Sequence, residues 1–226
     1  MSIVFTTKDN TRKPDRETKE LYQFLLEHKQ YLMTTLKVVS QHKDVIKQKN
    51  SLDRLVKSVV ISEKRYSNDA PETTQFIDKL FQFYSSTAAL DQRRGDIVEL
   101  ICRNLILCEK CKDKDMWKII VEAQVLKNNI LVSPKDIDIV FEHCMYDMLE
   151  CKADLESYLK EPLSQKKKDK LTFMENVNKM IANSNIYFVT ARSQIARAQA
   201  ILDNNHYTRF KILSARDIVS NLENIS

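Results

Sequence analysis

The sequence predicts an all-α protein, an elongated bundle of about seven or eight helices led by a long N-terminal helix or helix pair. Three observations carry that class. One glycine and four prolines in 226 residues remove most of the punctuation that strands and tight turns need. Apolar residues recur at three- and four-residue intervals along most of the chain, the period of a helix. An apolar content of 43% suffices for a sizeable core, and the length fits one large domain.

The elements follow in order. Residues 1–13 carry Ile3, Val4 and Phe5 ahead of a polar stretch and Pro14. They read as an extended N-terminal arm outside a single elongated helical domain of residues 14–226. From Pro14 the apolar positions Leu21, Phe24, Leu25, Leu32, Leu36, Val39, Val45, Ile46, Leu52, Leu55, Val56 and Val59 keep helical spacing to about Tyr66. A helix of about fifty residues would be roughly 75 Å long. Asn50-Ser51 is its weak point, so residues 14–66 form one helix or two. Pro71 opens the next helix, with Phe76, Ile77, Leu80, Phe81 and Tyr84 on one face.

The only glycine, Gly95, lies in Arg94-Gly95-Asp96, the tripeptide of integrin-binding proteins. A structural role explains it better. A helix ending at Arg93 or Arg94 wants a residue that tolerates positive φ. Asp96 then caps the following helix, and Glu99 completes a capping box ahead of Ile97, Val98, Ile101 and Leu105. Gly95 and Asp96 are therefore expected to form a hinge. A sub-boundary falls either there or near 67–71.

Beyond the Lys112–Asp115 interruption, Met116, Trp117, Ile120, Val121 and Leu126 resume the pattern. In "VSPKD", Ser133 as cap and Pro134 in the first turn start a helix that Pro162 ends. Ser164 opens a long helix through Leu171, Met174, Val177, Phe188 and Ile201, and a last one carries Tyr207, Phe210, Leu213, Ile218 and Leu222.

Charge and motifs bound the function. Thirty-six basic against 31 acidic residues leave a formal +5, mild for a dedicated nucleic-acid domain. The clearest basic cluster is Lys166, Lys167, Lys168 and Lys170, either a solvated face or a contact for phosphate or an acidic partner. Five cysteines, an odd number, point to a reducing compartment. The start has no basic region followed by an apolar run, and no stretch is long enough to span a membrane. The expectation is an intracellular protein, cytoplasmic or nuclear.

Cys108 and Cys111 have zinc-ligand spacing, but the candidate partners His143, Cys144 and Cys151 are remote and the glycine-bearing knuckle is missing. Small core thiols explain them better. His143 and Asp147 would meet one helical turn apart as a base and its orienting carboxylate, without a nucleophile in the pattern. A single glycine rules out phosphate-cradling loops. No cofactor, metal or small-molecule substrate is therefore expected.

The helical stripe predicts a non-catalytic scaffold or assembly subunit with coiled-coil-like association, binding a protein partner or itself through Leu21, Phe24, Leu25 and Leu32 at the projecting helix end. The alternative is an all-helical protein that coats RNA or DNA. A third reading, a metal-dependent helical hydrolase, rests on carboxylates one turn apart such as Asp138 and Glu142.

Overall fold

The computed structural model describes residues 3–63, 71–85, 90–105, 107 and 117–223, with residues 59–63 and 223 described in backbone only. The architecture is mixed α/β, which overturns the all-α expectation. A seven-stranded sheet runs β1 (Ile3–Thr7), β2 (Lys118–Lys127), β4 (Ile137–Glu142), β5 (Tyr146–Lys152), β6 (Ser184–Thr190), β7 (Phe210–Leu213), with β3 (Ile130–Leu131) paired to β2. The strands from β1 to β5 pair antiparallel; β5, β6 and β7 are parallel.

The long N-terminal helix is absent. In its place stand α1 (Arg16–Glu27), a 3₁₀ turn (Lys29–Tyr31), α2 (Leu32–Gln41) and α3 (Lys49–Glu63). Asp15 caps α1 by accepting from the Thr18 N–H at 2.9 Å. The chain folds back because the apolar stripe is more stable buried than projecting: Leu21, Phe24, Leu25 and Leu32 are at most 5% exposed. Helix α4 (Pro71–Tyr84) starts at its proline, as its sequence predicts. Helix α5 (Leu90–Cys102) runs unbroken through Gly95. The hinge is thus corrected: Gly95 has no positive φ, and Asp96 sits inside the helix rather than at its cap.

The remaining helices are α6 (Leu155–Tyr158), α7 (Gln165–Met180), α8 (Ala196–Asn204) and α9 (Ala215–Glu223). They divide with the first five into two layers around the sheet. One core joins α1–α5 and α9 to Ile139, Phe141, Leu149, Cys151, Tyr187 and Val189. The other joins α6, α7 and α8 to Phe5, Val125, Val140, Met148, Ile186 and Phe188. Because β4, β5 and β6 are buried on both faces, stretches such as Ile139–Phe141 and Ile186–Val189 are apolar without alternation. The helical-bundle and coiled-coil descriptions therefore do not hold.

The residues expected to be an arm dock as the edge strand β1, in register Phe5 with Val125. Ser133 closes a turn, its hydroxyl accepting from the Lys135 N–H at 3.2 Å, and strand β4 follows in place of the expected helix.

Candidate functional site

Strands β4 and β5 form an antiparallel pair with Ile139 opposite Leu149 and Val140 opposite Met148. Extending that register sets Asp138 beside Glu150, and alternation puts Lys152 on the same face as Glu150. The three side chains are joined: Lys152 Nζ lies 3.2 Å from Asp138 Oδ2 and 2.9 Å from Glu150 Oε1. Helix α7 adds Lys170, whose Nζ is 2.8 Å from Glu150 Oε2. The Tyr158 ring packs against the Lys152 ammonium at 5.2 Å. Asp138 Oδ2 also accepts from the Cys151 N–H at 2.7 Å, which ties the carboxylate to the backbone of β5.

Helix α5 brings a further carboxylate to this group. Glu99 is half-buried, and its carboxylate makes no hydrogen bond or ion pair among the described residues. Burial, then the charge of Asp138, pushes its carboxyl up to about 8. Burial followed by the neighbouring Glu150 raises Asp138 as well. In Glu150 burial also acts upward, but Lys152 and Lys170 outweigh it and hold the carboxyl below its usual range. Lys152 is the reverse case: burial disfavours its charge, yet Glu150 and Asp138 lift it well above an ordinary lysine. Asp138 and Glu150 share Lys152, Lys170 pairs with Glu150 alone, and Glu99 has no ion pair among the described residues. With its carboxyl raised to about 8, Glu99 is a ligand that a divalent cation would charge by displacing its proton.

The group stands where two open clefts meet. One, of about 530 Å³, is lined by Lys43, Arg94, Glu99, Lys152 and Tyr158. The other, of about 340 Å³, is lined by Lys8, Arg103, Glu99 and Asp138. Arg12 and Asp96 line both and are ion-paired to each other. Basic side chains thus frame an acidic floor.

No three Asp, Glu, His or Cys side chains among the described residues form a ready coordination cage. The donor set still suits a hard divalent ion, since magnesium keeps much of its water and binds through one or two carboxylates plus substrate phosphate. The unpaired Glu99 carboxylate beside Asp138 is the observation that fits the group to the site.

The sequence-predicted residues fall partly here. Lys170 turns inward to Glu150 and to the Asp136 carbonyl, whereas Lys166 and Lys168 are exposed and Lys167 lies 5.4 Å from the Tyr158 ring. Asp138 is separated from Glu142 by the length of a strand, so the one-turn pairing expected for them does not form. Leu21, Phe24, Leu25 and Leu32 are buried in the core rather than on a projecting helix end. Cys108 and Cys111 lie outside the described residues.

His143 and Asp147 do meet, Nε2 to Oδ2 at 2.9 Å, across the β4–β5 hairpin rather than along a helix. Trp117 stacks on the His143 ring at 4.6 Å and Asn185 donates to Asp147 at 2.8 Å. This pair pins the hairpin. Sequence reasoning missed Glu150, Lys152 and Tyr158, and it gave Glu99 only a capping role. The available signal was Glu150-Cys151-Lys152 at strand spacing, preceded by a strand bearing Asp138.

No protein-family model matches the chain, and no curated protein does. Among solved structures it is similar to protein VC1899 from Vibrio cholerae, with 11% identity and a TM-score of 0.46 over 99% of this chain and 57% of that one. The chain spans little more than half the length of that protein.

Proposed function

We propose that this protein is a metal-dependent phosphodiester hydrolase acting on nucleic acid. The observation that carries the reading is the cluster of Asp138, Glu150 and Lys152 on paired strands, with the unpaired Glu99 facing it from α5. The hydrolase once expected in a helical bundle is thereby moved to a sheet. The scaffold reading was argued from Leu21, Phe24, Leu25 and Leu32 on a projecting helix end, and these residues are buried.

In this reading Glu99 and Asp138 would hold a divalent cation, with Glu150 fixing Lys152 beside it, and the cation would supply Lewis acidity toward a phosphoryl oxygen and a more acidic water. Lys152 is the residue for the reacting phosphate. Its charge is fixed by two carboxylates, and one ammonium beside a phosphorus that gains negative charge stabilises the transition state. Water adds to phosphorus, the P–O bond to one sugar breaks, and the departing alkoxide takes up a proton. The products are a phosphomonoester and a free hydroxyl. Lys8, Arg12, Lys43 and Arg103 line the clefts and suit a polyanionic strand better than a small neutral substrate.

The test is cleavage of end-labelled DNA and RNA, single- and double-stranded, with magnesium or manganese. Wild type is expected to cleave at least one of them and to stop on chelation. Glu150→Gln and Lys152→Ala are expected to lower the rate by about 100-fold or more while far-ultraviolet circular dichroism stays native. A folded wild type that hydrolyses none of the four, nor a small activated phosphodiester, would refute the proposal.

A further inference from the structure

Most basic side chains of the two clefts are already engaged. Lys8 lies 3.0 Å from Asp136, Arg12 pairs with Asp96, and Lys43 lies 2.8 Å from Asp154. Arg94 donates to the Val39 carbonyl at 2.8 Å and to Asp91 at 2.9 Å, and Lys152 serves Asp138 and Glu150. Arg103 differs. It is half-buried in the wall of the cleft that holds Glu99 and Asp138, and its Nε is buried with no hydrogen-bond partner. Among the described residues its guanidinium makes no ion pair.

The backbone beneath this side chain is fixed. At the end of α5 the Arg103 N–H donates to the Glu99 carbonyl at 3.1 Å, and the Leu105 N–H donates to the Cys102 carbonyl at 3.1 Å. Cys102 and Leu105 are at most 1% exposed and belong to the core, so they anchor the chain on either side of Arg103. The bond to the Glu99 carbonyl continues the helical pattern and sets the Glu99 and Arg103 side chains one turn apart on one face. The charge of Arg103 reaches Glu99 and Asp96 through space. Neither satisfies it: Glu99 forms no ion pair among the described residues, and Asp96 is taken by Arg12.

Buried N–H donors are satisfied in the great majority of cases. An open Nε edge in a polar cleft is therefore a place for a ligand, and the fork of a guanidinium matches two oxygens of a phosphate. We propose that Arg103 holds the non-bridging oxygens of the scissile phosphate. The inference rests on the hydrolase reading and gives that reaction a second cation. Lys152 lines one cleft, Arg103 the other, and Glu99 both, so a phosphate at Glu99 and Asp138 is met by one cation from each. As water adds to phosphorus, negative charge builds on those oxygens, and a guanidinium already in place stabilises it more than it stabilises the ground state. A cation at the end of α5 also favours the helix dipole. Lysine fills that role equally well, whereas it lacks the two-pronged phosphate contact.

The experiment uses the full chain carrying Arg103→Ala or Arg103→Lys, with Arg103→Gln in reserve should alanine melt early. Turnover of bis(p-nitrophenyl) phosphate and of a single-stranded oligonucleotide is measured at saturating manganese, and oligonucleotide binding is measured in chelator. Arg103→Ala is expected to lower turnover of both substrates by about 100-fold, with a native melting curve and a manganese affinity by calorimetry near that of wild type. Arg103→Lys should fall between the two.

Wild-type turnover in Arg103→Ala or in Arg103→Lys would reduce the residue to a charge at a helix end and overturn the phosphate role. A loss confined to the oligonucleotide would move the contact to a flanking phosphate and overturn the assignment to the scissile one. Turnover that returns to the wild-type level as manganese is raised would show that Arg103 acts through Glu99, which equally overturns it. If wild type hydrolyses neither substrate, the hydrolase falls. Arg103 then stands as a phosphate contact only if Arg103→Ala binds the oligonucleotide about tenfold more weakly in chelator, and equal binding overturns it too.

Discussion

Asp147 and Glu150 stand on the same strand, both buried, in surroundings of different kinds. Asp147 has a donor for each oxygen, His143 Nε2 for one and Asn185 Nδ2 for the other. Asn185 is held in turn by Lys211 at 2.9 Å. One carboxylate meets matched partners, and the result is a pin that fixes the β4–β5 hairpin. Around Glu150 the matching is incomplete, because Asp138 and Glu150 share Lys152, Lys170 serves Glu150 alone, and Glu99 has no ion pair among the described residues. A buried polar group that serves stability is satisfied. A cluster left with an unmatched carboxyl and open to a cleft is the arrangement expected where a ligand completes it.

The sharpest way to break this contrast is Lys152→Ala. It leaves Asp138 without its lysine and Glu150 with Lys170 alone, and loss of one partner of a buried pair costs about 3–5 kcal/mol. Urea unfolding should show that loss, and a shift below about 1 kcal/mol would mean that the cluster does not depend on its shared counter-ion. Next in size, Asp147→Ala should cost about 1–3 kcal/mol by orphaning the His143 and Asn185 donors. Its metal-dependent hydrolysis, measured below the melting range, should match wild type. A parallel loss of activity would put the hairpin pin inside the catalytic unit.

Glu99→Gln should act in the opposite sense and stabilise. With its carboxyl raised from 4.5 to about 8, the folded chain holds a proton between these values that the unfolded chain has released. Stability from this group is therefore complete below about pH 4.5 and is lost as the pH climbs through 8. Glutamine removes that loss. Allowing for partial exposure, the variant should gain about 1–2 kcal/mol at about pH 8.5, or a few degrees of melting temperature, and almost nothing at about pH 4. Equal gains at both pH values would contradict the assignment.

The smallest effect concerns Gly95. A Cβ there meets no atom within 4 Å, and the residue lies inside α5 without a positive φ. Gly95→Ala is expected to stabilise by about 0.5–1 kcal/mol, whereas the hinge expected from sequence required a loss.

That reversal has the same origin as the missed sheet. Scarce glycine suggested that tight turns were absent, but asparagine stands in for it, since Asn10, Asn128, Asn129 and Asn183 all adopt positive φ. Asn128 and Asn129 form the two-residue turn joining β2 to β3, a place where glycine is commoner but asparagine is well tolerated. The runs Ile137–Phe141 and Ile186–Val189 were absorbed into helices because strands buried on both faces lose their alternation. Their β-branched and aromatic content was the remaining clue.

Helices α4 and α7 were legible because proline at Pro71 and serine at Ser164 mark their starts. The break at His28 carried no such mark, and tertiary burial decides it. The site was legible only in fragments. Asp138 was noticed for the wrong spacing, Lys170 was grouped with lysines that face solvent, and Glu99 came from a helix distant in sequence. Among the described residues no helix is long and apolar enough to cross a membrane.

The unmatched Glu99 carboxyl is tested most directly by calorimetric titration of manganese into wild type and Glu99→Gln near neutral pH, in buffers of differing ionisation heat. Wild type should bind the ion and release a proton, because Glu99 must give up the one it holds below about pH 8. Glu99→Gln should bind more weakly and lose that buffer-dependent heat. A folded wild type that shows no binding, or a Glu99→Gln variant with the same affinity and the same proton release, would contradict the account.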